Sequence, residues 1–106
     1  MYIYYNISVV YKFDFSKEKD IVLKEKRGVG FENVIQAIGI GNLLGNKKHP
    51  NQKRYPGQRV FIVKIEEYVY SVPYVYDLKR KLFFLKTLYP SRKLTKEYKK
   101  YEKRKI

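Results

Sequence analysis

Apolar positions recur with two different periods along this chain, and the change of period marks its elements. Between Tyr2 and Phe13 they alternate: Ile3, Tyr5, Ile7, Val9, Tyr11 and Phe13 fall on one side, and Tyr2, Tyr4, Asn6, Ser8, Val10 and Lys12 on the other. A period of two predicts a strand with one buried face. Asp14 and Ser16 both suit the cap of a helix over Lys17–Lys26, with Ile21, Val22 and Leu23 as its apolar stripe and Arg27-Gly28 at its end. Phe31, Val34, Ile35 and Ile38 then recur at i, i+3, i+4 and i+7, the strongest helical signal in the chain. Gly39 and Gly41 close that helix.

Residues 42–58, NLLGNKKHPNQKRYPGQ, break both periods and read as a long polar loop. Three β-rich runs follow, Arg59–Ile65, Tyr68–Tyr76 and Leu82–Tyr89, rich in valine, isoleucine, tyrosine and phenylalanine. The gaps between them, Glu66-Glu67 and Asp77–Lys81, are too short for a crossover helix, so the runs are expected to be antiparallel neighbours. Pro73 removes a ladder donor from the middle run, which calls for a bulge or a donor position facing away from a neighbour. Thr95 is expected to cap a last helix over Lys96–Arg104, with Glu97 in its first turn. Residues 99–106 form a basic tail expected to be ordered only when packed or bound.

The predicted order is therefore β-α-α-β-β-β-α, an α+β fold with a β-meander as its floor and the helices on one face. At 106 residues, a single domain over 1–106 is expected. The formal net charge of +14 directs attention to polyanions: nucleic acid, anionic membrane or an acidic protein. Lysine enrichment of a whole proteome is the bland alternative. The chain has no cysteine and one histidine, so disulfides, thiolate metal sites and multi-histidine metal sites are ruled out within it, and no metal or cofactor is expected. No stretch reaches the roughly 20 apolar residues that span a bilayer, and no signal-peptide pattern opens the chain, so cytoplasmic residence without membrane contact is expected.

Two segments resemble a known family. Asp14–Lys19, Leu23 and Arg27-Gly28-Val29-Gly30-Phe31-Glu32 are similar to the opening of the BrnT family, small ribonuclease toxins of type II toxin–antitoxin systems. Leu88-Tyr89-Pro90-Ser91-Arg92-Lys93-Leu94-Thr95-Lys96-Glu97-Tyr98 resembles the closing segment of that family, which leads into a basic helix. The resemblance covers roughly residues 13–100 and departs where Gly30 and Asn33 stand in the places of serine and glutamate. Those exchanges remove the expected capping box. The resemblance implies a RelE-like fold, metal-independent cleavage of mRNA that blocks translation, and a cognate acidic antitoxin encoded next door.

Metal-free RNA cleavage needs a base for the 2′-hydroxyl, cations for the phosphorane and an acid for the 5′ oxygen. Arg92 matches the tail arginine of the family and follows the last strand. His49 lies among Lys47, Lys48, Lys53 and Arg54, a field that favours the neutral imidazole a base requires. Lys86 is the polar member of the Leu82, Phe84, Lys86, Leu88 face. These are the candidate catalytic residues; Arg59, Lys93, Arg54 and Lys53 are the candidate RNA-binding residues. Twelve tyrosines without a tryptophan put Tyr68, Tyr70, Tyr74 and Tyr76 on one face of the middle strand, to stack bases or to pack under helices. The antitoxin is expected over Arg59, Lys86, Arg92 and the terminal helix, with Tyr98 and Tyr101 as anchors or else as the contacts that dock the tail. A non-catalytic basic nucleic-acid-binding protein, or an inactive homologue, is the alternative function.

Overall fold

The structure, a computed structural model, describes residues 2–5 and 10–105. Its elements are β1 (Tyr2–Tyr5), β2 (Val10–Phe15), α1 (Lys17–Arg27), α2 (Phe31–Gly39), β3 (Leu43–Lys48), β4 (Arg59–Ile65), β5 (Tyr68–Asp77), β6 (Leu82–Leu85), β7 (Tyr89–Pro90) and α3 (Arg92–Lys105). The sheet runs β1-β2-β6-β5-β4-β3, with β7 joined to β5. β2 and β6 are parallel, and the other pairs are antiparallel. The α+β class and the meander β4-β5-β6 are as expected.

Several boundaries differ. The alternating segment 2–13 is not one strand but two, paired antiparallel from Tyr2↔Phe13 to Tyr5↔Val10, and its residues 6–9 lie outside the described residues. The register also shifts the alternation by one across the reversal: Tyr2 and Tyr4, not Ile3 and Tyr5, stand opposite Phe13 and Tyr11, so the single apolar face expected from 3 to 13 is not formed. The polar segment 42–58 contains β3, an edge strand held by β4 from Leu43↔Val63 to Lys48↔Arg59. Its polar composition follows from that edge position: five of its six residues are exposed. The run Leu82–Tyr89 splits into β6 and β7.

The helices cover both faces of the sheet rather than one. Phe61, Val63 and Ile65 of β4 join the core under α1 and α2, whereas Val60 and Ile62 join Val69 beneath Leu94 and Tyr98 of α3. An uninterrupted apolar run such as Val60–Val63 marks a strand buried on both sides. Phe31 and Val34 are fully buried and Ile35 nearly so, each such side chain contributing about 1.5–3 kcal/mol.

α1 is capped by Ser16, whose Oγ accepts from the Lys19 N–H at 3.2 Å, and ends at Gly28 with φ 75°. α2 keeps half of a capping box: Asn33 Oδ1 accepts the Gly30 N–H at 2.9 Å. The other half comes from α1. Buried Asp20 accepts the Phe31 N–H at 2.8 Å and pairs with Lys24 at 3.1 Å. A carboxylate suits the positive end of a helix dipole. Glycine is required beside it, since a Cβ on Gly30 would run into Asp20 Oδ1 and the Lys24 stem.

α3 starts earlier than expected and its cap is Ser91, whose Oγ accepts the Leu94 N–H at 3.1 Å. Thr95 is inside the helix and buried, accepting the Val69 N–H at 3.0 Å and donating to the Ser91 carbonyl at 2.7 Å. The basic tail is helical through Lys105, and Lys64 pairs with Glu102 at 3.2 Å. Hydrogen bonding by Tyr98, then by Lys64, holds the Glu102 carboxyl below its ordinary 4.5.

Asp20→Ala should leave the Phe31 N–H without a partner and cost about 1–3 kcal/mol, read as a lower urea midpoint at unchanged slope. A depressed carboxyl pKa stabilises above its unfolded value and stops doing so as pH falls through the folded one. Protection of the α3 amides, measured as the exchange rate relative to the unstructured peptide at the same pH, should therefore fall on acidification below the ordinary value of 4.5, and Glu102→Gln should abolish that loss of protection.

Candidate nucleic-acid interface

The link between β3 and β4, residues 49–58, is a built loop. The His49 N–H donates to the Gln58 carbonyl at 3.0 Å and closes its base. The Gln52 side chain spans the interior, donating to the carbonyls of His49 at 2.8 Å and Gln58 at 3.0 Å and accepting the Gly57 N–H at 3.3 Å. Asn51 turns the tip by accepting the Arg54 and Tyr55 N–H groups. The His49 and Tyr55 rings lie 4.5 Å apart, and the Arg54 guanidinium sits 5.5 Å over Tyr55.

The facing wall arises where β6 leaves β5. Pro73 offers no N–H, and its carbonyl accepts the Lys86 N–H at 2.8 Å. Its ring nitrogen therefore faces the gap between β6 and β7 and away from β4, as one of the two sequence alternatives required. Across that gap Leu88 drops into the helical core while Lys86 stays exposed, its Nζ 5.4 Å over the Phe84 ring. The result is a cavity of about 620 Å³ lined by His49, Tyr55, Gln58, Pro73, Phe84, Leu85, Lys86, Thr87 and Tyr89, with Ser16 and Lys19 from the first turn of α1. Among the described residues, no carboxylate lines it. The positive end of the α1 dipole adds to the field of the two lysines.

A second cavity of about 320 Å³ lies at the start of α3, between Lys47, Ser71, Ser91, Lys93 and Glu97, and shares Tyr89 with the first. The opposite face of the sheet holds an aromatic groove of about 350 Å³ around Phe61 and Phe83 with no charged lining residue. Among the described residues, neither lysine nor histidine lines that groove.

Of the candidate residues, His49 and Lys86 meet in the first cavity and Lys93 lines the second. Lys53 and Arg54 are exposed on the loop, and Arg92, the first residue of α3, is exposed outside both linings. Arg59 belongs elsewhere. It pairs with Tyr74 across β4 and β5 and so points to the α2 face, where its Nε donates to Asn46 Oδ1 at 3.0 Å beside the Tyr74 hydroxyl at 2.9 Å. Tyr74 is buried and stacked on Phe61 at 3.9 Å, so it packs and does not present itself to bases. Tyr98 likewise packs against the core beneath α3, whereas Tyr101 is 56% exposed.

The base role expected of His49 does not match its geometry. Nδ1 accepts the Asn51 N–H at 3.0 Å, which places the ring proton of the neutral imidazole on Nε2. His49 therefore presents a donor. Sequence reasoning missed Tyr55, Gln58, Thr87, Tyr89, Ser16 and Lys19; the one available signal was the polar pair Lys86-Thr87 interrupting an apolar run just before Tyr89-Pro90. Among the described residues, no group of three His, Asp or Glu side chains is placed to hold a metal ion, and no helix is long and apolar enough to cross a membrane. Comparison with protein-family models, with curated proteins and with solved structures finds no match to this chain.

Long-range proton–nitrogen correlation spectra of the imidazole should show the Nε2–H tautomer for His49. Asn51→Pro, which removes the donating N–H, should abolish that bias; a wild-type ring protonated at Nδ1 would contradict the assigned hydrogen bond.

Proposed function

We propose that this chain is a metal-independent ribonuclease of the BrnT-like toxin type, acting on single-stranded RNA in the cavity between the 49–58 loop and Lys86. The observation that carries the reading is that His49 and Lys86, distant in sequence, meet with Lys19 in one carboxylate-free cavity. The order α1, α2, meander, α3 supports the RelE-like comparison, as do the family-like segments, which supply Ser16 and Lys19 at one end of the cavity and Tyr89 at the other.

In this reading the RNA 2′ oxygen attacks the adjacent phosphorus, the P–O5′ bond breaks and a 2′,3′-cyclic phosphate forms. Lys86 and Lys19 offset the charge on the non-bridging oxygens, and His49 donates its Nε2–H to one of them. With Nδ1 occupied, the 2′-hydroxyl proton passes to water in the cavity, and water returns a proton to the departing 5′ oxygen, which leaves as the 5′-hydroxyl. Arg92 holds the strand beyond the cavity as an exposed phosphate contact. An acidic antitoxin segment would lie over Lys86, Arg92 and α3, and complementary charge would speed its association. Arg59 and Tyr98 drop out of that surface, the first because it faces the other side of the sheet and the second because it is partly buried against the core beneath α3.

The lack of a carboxylate base in the cavity favours the non-catalytic binder as second reading. Incubating end-labelled single-stranded RNA with EDTA separates the two. New ends bearing cyclic phosphate, formed about 10²–10³ times more slowly by Lys86→Ala, are expected of the ribonuclease. Intact but retarded RNA would leave the binder; RNA neither cut nor bound would overturn both.

A further inference from the structure

The second cavity is unused by the reaction just described, yet it adjoins the first through one side chain. Tyr89 lines both, is 39% exposed, and is fixed in place because β7 holds its backbone against Ser71. On one side of it stand Lys19, His49 and Lys86; on the other stand Lys47 and Lys93 with the hydroxyls of Ser71 and Ser91. Lys47 pairs with Val60, which places it on the α3 face of the sheet with the rest of this set. A fixed, partly exposed aromatic ring between two cationic hollows has the form of a stacking platform between successive backbone phosphates.

We infer that the cavity at the start of α3 is a second nucleotide subsite, and that Tyr89 is the platform on which a single-stranded RNA base stacks between it and the first. The inference rests on the proposed RNA substrate and deepens it: the substrate must extend past the scissile phosphate and must have an unpaired base at the step between the cavities. A duplex cannot comply, because its bases are already stacked on one another. Glu97 is the one carboxylate in the second lining, facing the same hollow as Lys93 one helical turn away. It opposes the phosphate and weakens the subsite.

Fluorescence anisotropy with a short labelled RNA, its duplex and an abasic ribose-phosphate oligomer of equal length tests this. Tyr89→Leu should weaken binding of the single strand about 5- to 150-fold, the range for losing one aromatic–base stack. Tyr89→Phe should retain it, and Tyr89→Leu should not change binding of the abasic oligomer. Lys47→Gln with Lys93→Gln should reduce the slope of log affinity against log salt by about 1.4, two single-strand phosphate contacts. Glu97→Gln should tighten binding. Thermal unfolding of each variant confirms that it folds. Unchanged single-strand affinity in Tyr89→Leu, or an equal loss on the abasic oligomer, would overturn the inference. RNA that is bound in this pattern but never cut would sink the ribonuclease reading and leave the subsite standing; RNA cut normally by a Tyr89→Leu variant of unaltered affinity would do the reverse.

Discussion

A missing hydrogen at Pro73 decides where this molecule can be open. β5 pairs with β4 along Tyr68–Tyr74, so its other edge is the one free to vary. There the third meander run would continue past Leu85 if β5 could donate at residue 73. It cannot, and the chain lifts away after one bond from Lys86 to the Pro73 carbonyl, returning to β5 only at Tyr89. The detour has two sides. Leu88 turns inward and joins the helical core, which anchors it, and Lys86 turns outward onto the cationic face. A proline in a central strand is tolerated only where no ladder bond is lost, and here that condition shapes the cavity.

The local signals in the sequence were accurate where local physics governs. The stripe Phe31, Val34, Ile35 reports a helix lying on a core, because 3.6-residue periodicity has no other stable use. Ser16 and Gly28 bound α1 through bonds within a few residues of themselves. What escaped was set by partners distant in the chain. β3 exists because β4 supplies its ladder, although Gly45, Asn46, Lys47 and Lys48 have little strand preference of their own. Thr95 looks like a cap and is instead the acceptor for Val69, twenty-six positions away. The capping of α2 by Asp20 was equally invisible, since the sequence shows only that serine is absent at residue 30.

Residue type pointed to two residues that line one cavity. His49 and Lys86 stand out as the sole imidazole and as an odd polar residue in an apolar run, and the fold does bring them together. Orientation was not available from type. Arg59 has the right chemistry for phosphate, but strand parity turns it to the wrong face, where Asn46 and Tyr74 engage it. Tyr89 was hidden among twelve tyrosines, most of whose neighbours in the strands serve packing. Only the position of β7 at the junction of two cavities separates it from them.

The edge strand β3 carries a further consequence. Leu43 and Leu44 are more than a third exposed at one end of it, while Lys47 and Lys48 occupy the other. An unpaired strand edge with apolar side chains is a template for strand addition by another copy, and lysines are a common guard against it. Lys47 and Lys48, exposed on the edge strand, have the placement of such guards. Any change that neutralises Lys47 and Lys48 removes that guard and creates the conditions for edge-to-edge self-association.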